Sequence, residues 1–246
     1  MALEIDILRK AFVLAGGGER VVFDRFSLRV EDGAIVALVG PSGCGKSSLL
    51  RIVAGLDRKF SGAVKTPRGR LGMVFQEPRL LPWRNVVDNL RLAAPALTES
   101  ALADLLAAFE LDGHGGDFPG QLSLGLARRV ALARAFAVDP DLVLLDEPFA
   151  SLDRALHTRL RALLALRIGA KKMTALIATH DLDDALLLAD EVIFLAAAPA
   201  RITGRLPIGM PRKNRDENLT ELRALNANYQ VIAPDEDDKS SPENQR

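Results

Sequence analysis

The sequence predicts an α/β protein with a mostly parallel central sheet, an N-terminal antiparallel β subdomain and an inserted α-helical subdomain. Short, fully apolar runs end at polar residues in several places, as strands buried on both faces of a parallel sheet do. Apolar residues alternate over residues 3–30 but recur at helical spacing within residues 78–137. We therefore divide the chain into a core (residues 1–77 and 138–210), the helical subdomain and a polar extension, residues 211–246.

Composition restricts the possible functions. The chain has 246 residues, and its 32 Lys and Arg balance its 32 Asp and Glu, so we expect no nucleic-acid partner. Its single cysteine, Cys44, cannot form an internal disulfide and fits a reducing compartment. The most apolar stretch, residues 192–200, is far shorter than the roughly 20 residues that span a bilayer. If the protein serves a membrane, another chain crosses it.

The elements of the core follow from these patterns. Residues 3–30 are predicted to form a hairpin around three consecutive glycines, residues 16–18. Buried strands are predicted at residues 35–39, 142–145, 174–179 and 192–195, with a helix over residues 47–54.

The later regions are helical or polar. Helices are predicted to start near residues 98–100 and near Ser123, on either side of a glycine-containing loop, residues 111–120. Residues 234–246 have few apolar side chains and an acidic cluster, which predicts disorder.

A glycine-rich turn between the strand at residues 35–39 and the following helix matches the phosphate-binding loop of P-loop NTPases. Backbone N–H groups of such a loop surround phosphate oxygens, its lysine reaches the β and γ phosphates, and its serine ligates Mg²⁺. The alternative, a chance glycine turn, fits the flanking strand and helix poorly. The predicted nucleotide-binding residues are Gly40, Pro41, Ser42, Gly43, Cys44, Gly45, Lys46, Ser47 and Ser48.

Two adjacent carboxylates end the strand at residues 142–145. Asp146 is predicted to hold Mg²⁺ through water, and Glu147 to orient or deprotonate the attacking water, because phosphoryl transfer needs charge neutralisation and an in-line nucleophile. Without the phosphate loop, a solvated acidic loop would explain the pair equally well.

Taken together, these motifs resemble the nucleotide-binding subunit of ABC transporters. The resemblance extends over roughly residues 3–205 and depends on the order and spacing of several segments. Besides the phosphate loop and the Asp146-Glu147 pair, these are Gln76, Leu122-Ser123-Leu124-Gly125-Leu126, Ser151-Leu152-Asp153 and His180.

The resemblance implies an ATP-dependent, head-to-tail homodimer, in which ATP lies between the phosphate loop of one subunit and Ser123 and Gly125 of the other. It also implies that Gln76 senses Mg²⁺ and water, and that His180 contacts the γ-phosphate. Asp153 would couple the two sites, and Phe12 would stack on adenine.

Each of three side chains has a simpler alternative interpretation. Phe12 could be an ordinary core residue, His180 a strand-end histidine with a satisfied hydrogen bond, and Gln76 a solvated loop residue. His114 and His157 lack a motif and are predicted to be surface residues.

The signature segment departs from the family pattern Leu-Ser-Gly-Gly-Gln at Leu124 and Leu126. If the third position takes a positive φ, Leu124 costs about 1–2 kcal/mol there. We expect dimerisation and hydrolysis to survive but to be slower than in relatives with an intact signature.

Residues 78–89 and 198–202 resemble ATPases of nitrate, sulfonate and taurine importers. The resemblance implies that the region around Trp83 contacts transmembrane permease subunits at the cytoplasmic face of the cell membrane, as a peripheral subunit. It also implies that a periplasmic or extracellular solute-binding protein delivers the cargo. A buried helix-start segment is the alternative interpretation of Trp83.

Other functional classes stay open at this point. They are an exporter ATPase, a non-transport ABC ATPase acting on ribosomes or DNA, and a small-molecule kinase or GTPase. The last would not need the segments at Ser123, Asp153 and His180 in this order.

Overall fold

The computed structural model describes residues 2–150, 152–197 and 199–230. The strands in that part of the chain are β1 (Leu3–Val13), β2 (Glu19–Val30), β3 (Ile35–Val39), β4 (Ser61–Lys65), β5 (Leu71–Val74), β6 (Leu142–Asp146), β7 (Thr174–Thr179), β8 (Glu191–Ala196) and β9 (Arg201–Pro207). The helices are α1 (Lys46–Val53), α2 (Val86–Ala93), α3 (Glu99–Ala108), α4 (Leu124–Ala137), α5 (Arg154–Lys171), α6 (Leu182–Leu188) and α7 (Leu219–Gln230). Short 3₁₀ turns cover Pro119–Gln121 and Arg212–Asn214.

The strands form two sheets. The larger has the order β5-β6-β7-β3-β8-β9, parallel throughout except for the antiparallel edge strand β9. The smaller is antiparallel with the order β2-β1-β4. In the larger sheet, β3 lies between β7 and β8, so the chain reverses its order of strand addition beside β3, where open α/β sheets bind ligands.

Both faces of the central sheet are buried, which explains why its strands are continuous apolar runs rather than alternating ones. In β3, Val36 and Leu38 pack with the smaller sheet and α1, whereas Ile35 and Ala37 pack with the helices. The same division recurs along β6, β7 and β8. The phosphate loop therefore emerges from a strand that is buried on both faces.

Most predicted elements are confirmed. The four buried strands, the hairpin and the helix after the phosphate loop are present within one residue or two of their predicted bounds. Helix α4 begins directly after Ser123, as expected. Strand β4 joins the smaller sheet and β9 joins the larger; sequence patterns did not indicate either. The division into subdomains stays a prediction.

Two residues of the polar extension, Arg215 and Leu222, are buried against the core. Arg215 has a relative exposure of only 2%, and its guanidinium donates to the carbonyl oxygens of Met210 (2.8 Å) and Ala189 (2.6 Å). Burial lowers the pKa of Arg215 to about 10. Leu222 on α7 is fully buried. The segment 234–246, predicted to be disordered, lies outside the described residues.

Candidate active site

The phosphate loop is held in shape by glycines that no other residue could replace without strain. Gly43 and Gly45 have φ values of 79° and 108°, in the left-handed region that glycine alone adopts freely. A Cβ on Gly40 would lie 2.5 Å from the carbonyl oxygen of Leu195 on the adjacent strand. The loop is therefore fixed by β8 on one side and by the start of α1 on the other.

Lys46 lies across this loop rather than pointing into solvent. Its Nζ atom donates to the carbonyl oxygens of Gly40 at 2.6 Å and Pro41 at 3.2 Å, and the residue is 8% exposed. A buried ammonium held only by neutral carbonyls gains by pairing with an anion. Phosphate oxygens bound by the loop would offer such a partner within reach of the same side chain.

Ser47 and Asp146 meet at the ends of α1 and β6. The Ser47 hydroxyl donates to Asp146 Oδ1 at 2.9 Å, and Asp146 is 2% exposed. Burial raises the pKa of Asp146 and Glu147 adds to the increase, while the hydrogen bond from Ser47 opposes it. A hydroxyl and a carboxylate are oxygen ligands of the kind Mg²⁺ takes, so this pair fits a magnesium ion bound together with phosphate.

Glu147 occupies a strained backbone position immediately after β6. Its φ is 48°, and its N–H donates to the carbonyl oxygen of Ala178 on β7 at 2.9 Å. Its Oε2 atom lies 2.8 Å from Nδ1 of His180, which follows β7. A non-glycine residue with a positive φ is strained, and such residues are frequent at functional sites, where the side chain must point in a particular direction.

The cavity beside the loop measures about 300 Å³ and collects most of the predicted residues. Phe12, on β1, is 42% exposed there with Lys10 Nζ 4.5 Å from its ring centre, so the interpretation of Phe12 as a core residue is wrong. Gln76 lines the same cavity just after β5. The lining residues are Phe12, Arg20, Val22, Ser42, Gly43, Gly45, Lys46, Ser47, Ser48, Gln76 and Glu147.

Arg20 and Val22 are the two lining residues that sequence reasoning missed. Both lie on β2, where Arg20 pairs in register with Phe12. Alternating polar and apolar residues on a strand carry no ligand signal, so only the packing of the small sheet against the phosphate loop shows their position.

The predicted residues Ser123, Gly125 and Asp153 lie away from this cavity. Five others are close to it in the chain or in the sheet but are not among its lining residues: Gly40, Pro41, Cys44, Asp146 and His180. Ser123 caps α4 through a hydrogen bond from the Leu126 N–H at 3.2 Å, and Asp153 caps α5 through one from the Leu156 N–H at 3.0 Å. A Cβ on Gly125 would approach Leu152 at 3.8 Å, so the two helix starts are neighbours. Within one chain, none of Ser123, Gly125 and Asp153 lines the nucleotide cavity.

The strain expected at Leu124 is absent. Leu124 is the first residue of α4, and it is not among the described non-glycine residues with a positive φ. The side chain is 52% exposed, whereas Leu126 packs against the main core. The helix already begins at the third signature position, so a leucine there adopts ordinary helical geometry.

Trp83 is 69% exposed in the loop between β5 and α2, so the interpretation of this residue as buried is wrong. Asn89, only 1% exposed, organises the loop from within. Its Oδ1 accepts from the Leu81 N–H at 2.9 Å, and its Nδ2 lies 3.0 Å from the carbonyl oxygens of Arg84 and Asn85.

The prediction that His157 is a surface residue is also wrong. Its side chain is 23% exposed, its ring stacks on Phe149 with centres 4.9 Å apart, and its Nε2 lies 2.7 Å from Asp184 Oδ1. Asp184 is buried in α6, and its pKa is raised by that burial. His157 thus connects α5, α6 and the segment after Glu147.

Comparison with known proteins agrees with this geometry. The profile of the ABC transporter family matches residues 23–150. An aliphatic sulfonates import ATP-binding protein, SsuB 2, of Burkholderia lata is 44% identical over 233 residues, covering 90% of this chain and 84% of that protein. Its counterpart in Pseudomonas syringae pv. tomato is 41% identical over 225 residues, covering 90% of this chain and 95% of that protein.

Solved structures show the same fold. A dimeric bacterial ABC transporter cassette superimposes with a TM-score of 0.77 at 24% identity, covering 86% of this chain and 100% of that one. A dimeric cassette in a post-hydrolysis state, bound to ADP and Pi, has a TM-score of 0.75 at the same identity and coverage.

The fold and the site define an ATP-hydrolysing nucleotide-binding domain. The chain belongs to the ABC transporter family, as a subunit that uses ATP with Mg²⁺ and couples hydrolysis to transport. No helix within residues 2–150, 152–197 and 199–230 is long and apolar enough to cross a membrane.

Proposed function

We propose that this chain is the energy-coupling ATPase of an importer for organosulfur anions of the aliphatic sulfonate type. The observation that carries the proposal is the 41–44% identity, over 90% of the chain, to proteins named for aliphatic sulfonate import. The cargo-binding residues belong to other subunits, so the cavity beside the phosphate loop supports the ATPase activity rather than the choice of solute.

Within the nucleotide site, each role follows from the contacts around it. Lys46 exchanges its bonds to Gly40 and Pro41 for phosphate oxygens, while Ser47 and Asp146 hold Mg²⁺. Glu147 orients the attacking water, and His180 positions the Glu147 carboxylate and reaches the γ-phosphate. Gln76 lines the cavity just after β5 and would contact the metal and the water there.

The site is incomplete in a single chain, which supports a head-to-tail homodimer. The start of α4, with Ser123 as its cap and Gly125 in its first turn, offers backbone N–H groups and a positive helix end to an anion. In the proposed dimer this end contacts the γ-phosphate held by the partner's loop. Asp153, which caps α5 beside it, couples the two sites.

A second surface supports docking of transmembrane permease subunits. Trp83 is exposed in the loop that follows β5, and a groove of about 320 Å³ beside β5 and α4 is lined by Met73, Phe75, Arg79 and Arg134 among others. Exposed aromatic and arginine side chains are frequent anchors of protein interfaces, and an apolar groove accepts a short helix. This docking would hold the chain at the cytoplasmic face of the membrane, while a solute-binding protein outside delivers the cargo.

The nucleotide site is tested with two variants in size-exclusion chromatography. Glu147→Gln should bind MgATP and elute as a dimer, because hydrolysis is blocked while binding is retained. Lys46→Ala, the matched control, should not bind ATP and should stay monomeric. A monomeric Glu147→Gln saturated with ATP would contradict the dimer mechanism.

The docking surface is tested by co-purification with the permease and by transport. Trp83→Ala should reduce permease association and solute-stimulated hydrolysis while sparing basal hydrolysis. Leu166→Ala is the control, because Leu166 on α5 is equally exposed, at 69%. Normal coupling in Trp83→Ala would contradict permease docking at the Trp83 loop.

The cargo is tested by growth. A strain lacking this chain should fail to grow on an aliphatic sulfonate as its sulfur source and should still grow on sulfate. Unchanged growth on the sulfonate, with no other sulfonate uptake system in the strain, would contradict the proposed substrate class.

A further inference from the structure

We infer that Arg20 is a nucleotide-binding residue that contacts the phosphate chain from the open side of the site. This inference rests on the proposed nucleotide site and adds a residue to it that lies in none of the sequence motifs. Arg20 lies on β2 of the small antiparallel sheet, in register with Phe12 on β1, and both side chains line the cavity.

The position of the guanidinium indicates which part of the nucleotide it faces. Its Nη2 donates to the carbonyl oxygen of Gly43 at 3.1 Å, and a Cβ on Gly43 would lie 3.1 Å from the same nitrogen. Arg20 therefore covers the middle of the phosphate loop, whose amides surround phosphate oxygens. Phe12, the proposed adenine platform, is the cross-strand partner of Arg20, but the Arg20 guanidinium is bonded to Gly43 of the phosphate loop, which points to the phosphate chain rather than the base.

Arg20 also has charge and donors to spare. Within the described residues, no carboxylate forms an ion pair with it, and the bond to Gly43 uses one of its five N–H donors. Two other arginines of the same sheet are engaged: Arg9 pairs with Glu19 at 2.7 Å, and Arg29 with Glu31 at 2.8 Å. A planar guanidinium that lies beside a phosphate loop and has no carboxylate partner can bind phosphate oxygens, because its charge is opposite and its paired N–H donors fit two oxygens.

The cavity contains few other cations to neutralise a nucleotide. Of the lining residues in the part of the chain that the structure describes, only Lys46 and Arg20 are cationic, and Glu147 is anionic. Lys46 is buried at the base of the loop, whereas Arg20 is exposed at its rim. Lys46 therefore offers its charge from within the loop, and Arg20 offers its charge from the exposed rim.

The test is calorimetric titration of the full chain with MgATP, MgADP and MgGTP. Arg20→Ala should weaken all three by about tenfold, the effect of one charge-assisted hydrogen bond at a partly exposed position. Arg20→Lys keeps the charge but loses the paired N–H donors of the guanidinium, and should weaken binding by about threefold. Because Arg20 is exposed, the unfolding temperature without nucleotide should not change.

Two controls separate this inference from the site on which it rests. Arg29→Ala removes an exposed, paired arginine at the far end of the same strand and should bind MgATP as the unmodified chain does. Lys46→Ala should abolish binding. If Lys46→Ala loses binding while Arg20→Ala does not, the inference about Arg20 is wrong and the site stands. If the loss in Arg20→Ala is confined to MgATP and spares MgGTP, the contact is with the base, and the inference is again overturned. Normal binding in Lys46→Ala would reject the site itself.

Discussion

Asn89 is predicted to hold the Trp83 loop in place, and replacing it should destabilise the chain without touching the nucleotide site. Its amide makes four contacts of 2.9–3.3 Å with backbone groups of Leu81, Arg84 and Asn85. Because Asn89 is 1% exposed, water cannot easily replace those contacts in Asn89→Ala.

The expected cost follows from the number of bonds. The amide has two N–H donors and accepts one bond at Oδ1, so its four contacts amount to three hydrogen bonds. Losing them at about 1 kcal/mol each lowers the free energy of unfolding by about 3 kcal/mol. In a chain of this length that corresponds to a fall in Tm of about 6–12 °C. Asn89→Asp should be worse at neutral pH, because a buried carboxylate would face the carbonyl oxygens that the amide now satisfies.

Urea unfolding followed by circular dichroism measures this cost, and Trp83 provides a local probe. Since Trp83 is the chain's only tryptophan, its fluorescence anisotropy reports the order of the loop directly. We expect the anisotropy to fall in Asn89→Ala while MgATP affinity is retained. Leu92→Ala, at a 60% exposed position of the same helix, should change stability by less than about 0.5 kcal/mol. An Asn89→Ala variant as stable as this control, with unchanged anisotropy, would refute the reasoning.

Three further predictions concern other parts of the chain. Leu124→Gly should lower the free energy of unfolding by up to about 1 kcal/mol, because Leu124 is unstrained at the start of α4; a gain in urea titrations would contradict its helical geometry. Arg215→Ala should lower the free energy of unfolding by about 2–4 kcal/mol, because buried carbonyl oxygens lose their donor. It should also make residues 211–230 sensitive to limited proteolysis, and continued protection of that segment would show that Arg215 does not anchor it. The pKa of Asp183 is held below its ordinary value of 3.8 mainly by the hydrogen bond from Arg223, so the stabilisation is present above pH 3.8 and is lost as the pH falls through the lower folded-state pKa. Asp183→Asn should therefore be less stable than the unmodified chain at pH 6, and the difference in Tm should shrink as the pH is lowered. A difference in Tm that stays constant from pH 6 into the acid range would contradict a stabilising, ionised Asp183.

Much of the nucleotide site could be predicted because its residues act through local structure. The phosphate loop needs glycines where φ is positive, a lysine one residue later and a strand and helix on either side, and all of these are adjacent in the chain. Asp146 and His180 were predictable for a related reason. Each follows a buried apolar run, and parallel strands bring their carboxyl ends to one edge of the sheet.

Other features could not be predicted because they depend on contacts between distant segments. No local pattern marks Arg20, and its position at the cavity depends on the packing of the small sheet against Gly43. His157 belongs to no motif, and its position depends on the contact between α5 and Asp184 on α6. The cost of a positive φ at Leu124 does not arise, because Leu124 is already the first residue of α4. The signature pattern alone does not show where that helix begins.

The sequence by itself determined the family, the buried strands of the core and the phosphate loop, since each motif and each strand is formed by residues within a few positions of one another. The tertiary structure alone decided which side chains enclose the cavity, how Asn89 presents Trp83 and why residues 211–225 are anchored rather than free. The physical reason is that burial and hydrogen bonding between segments far apart in the chain depend on how those segments pack, and a local sequence pattern does not determine that packing.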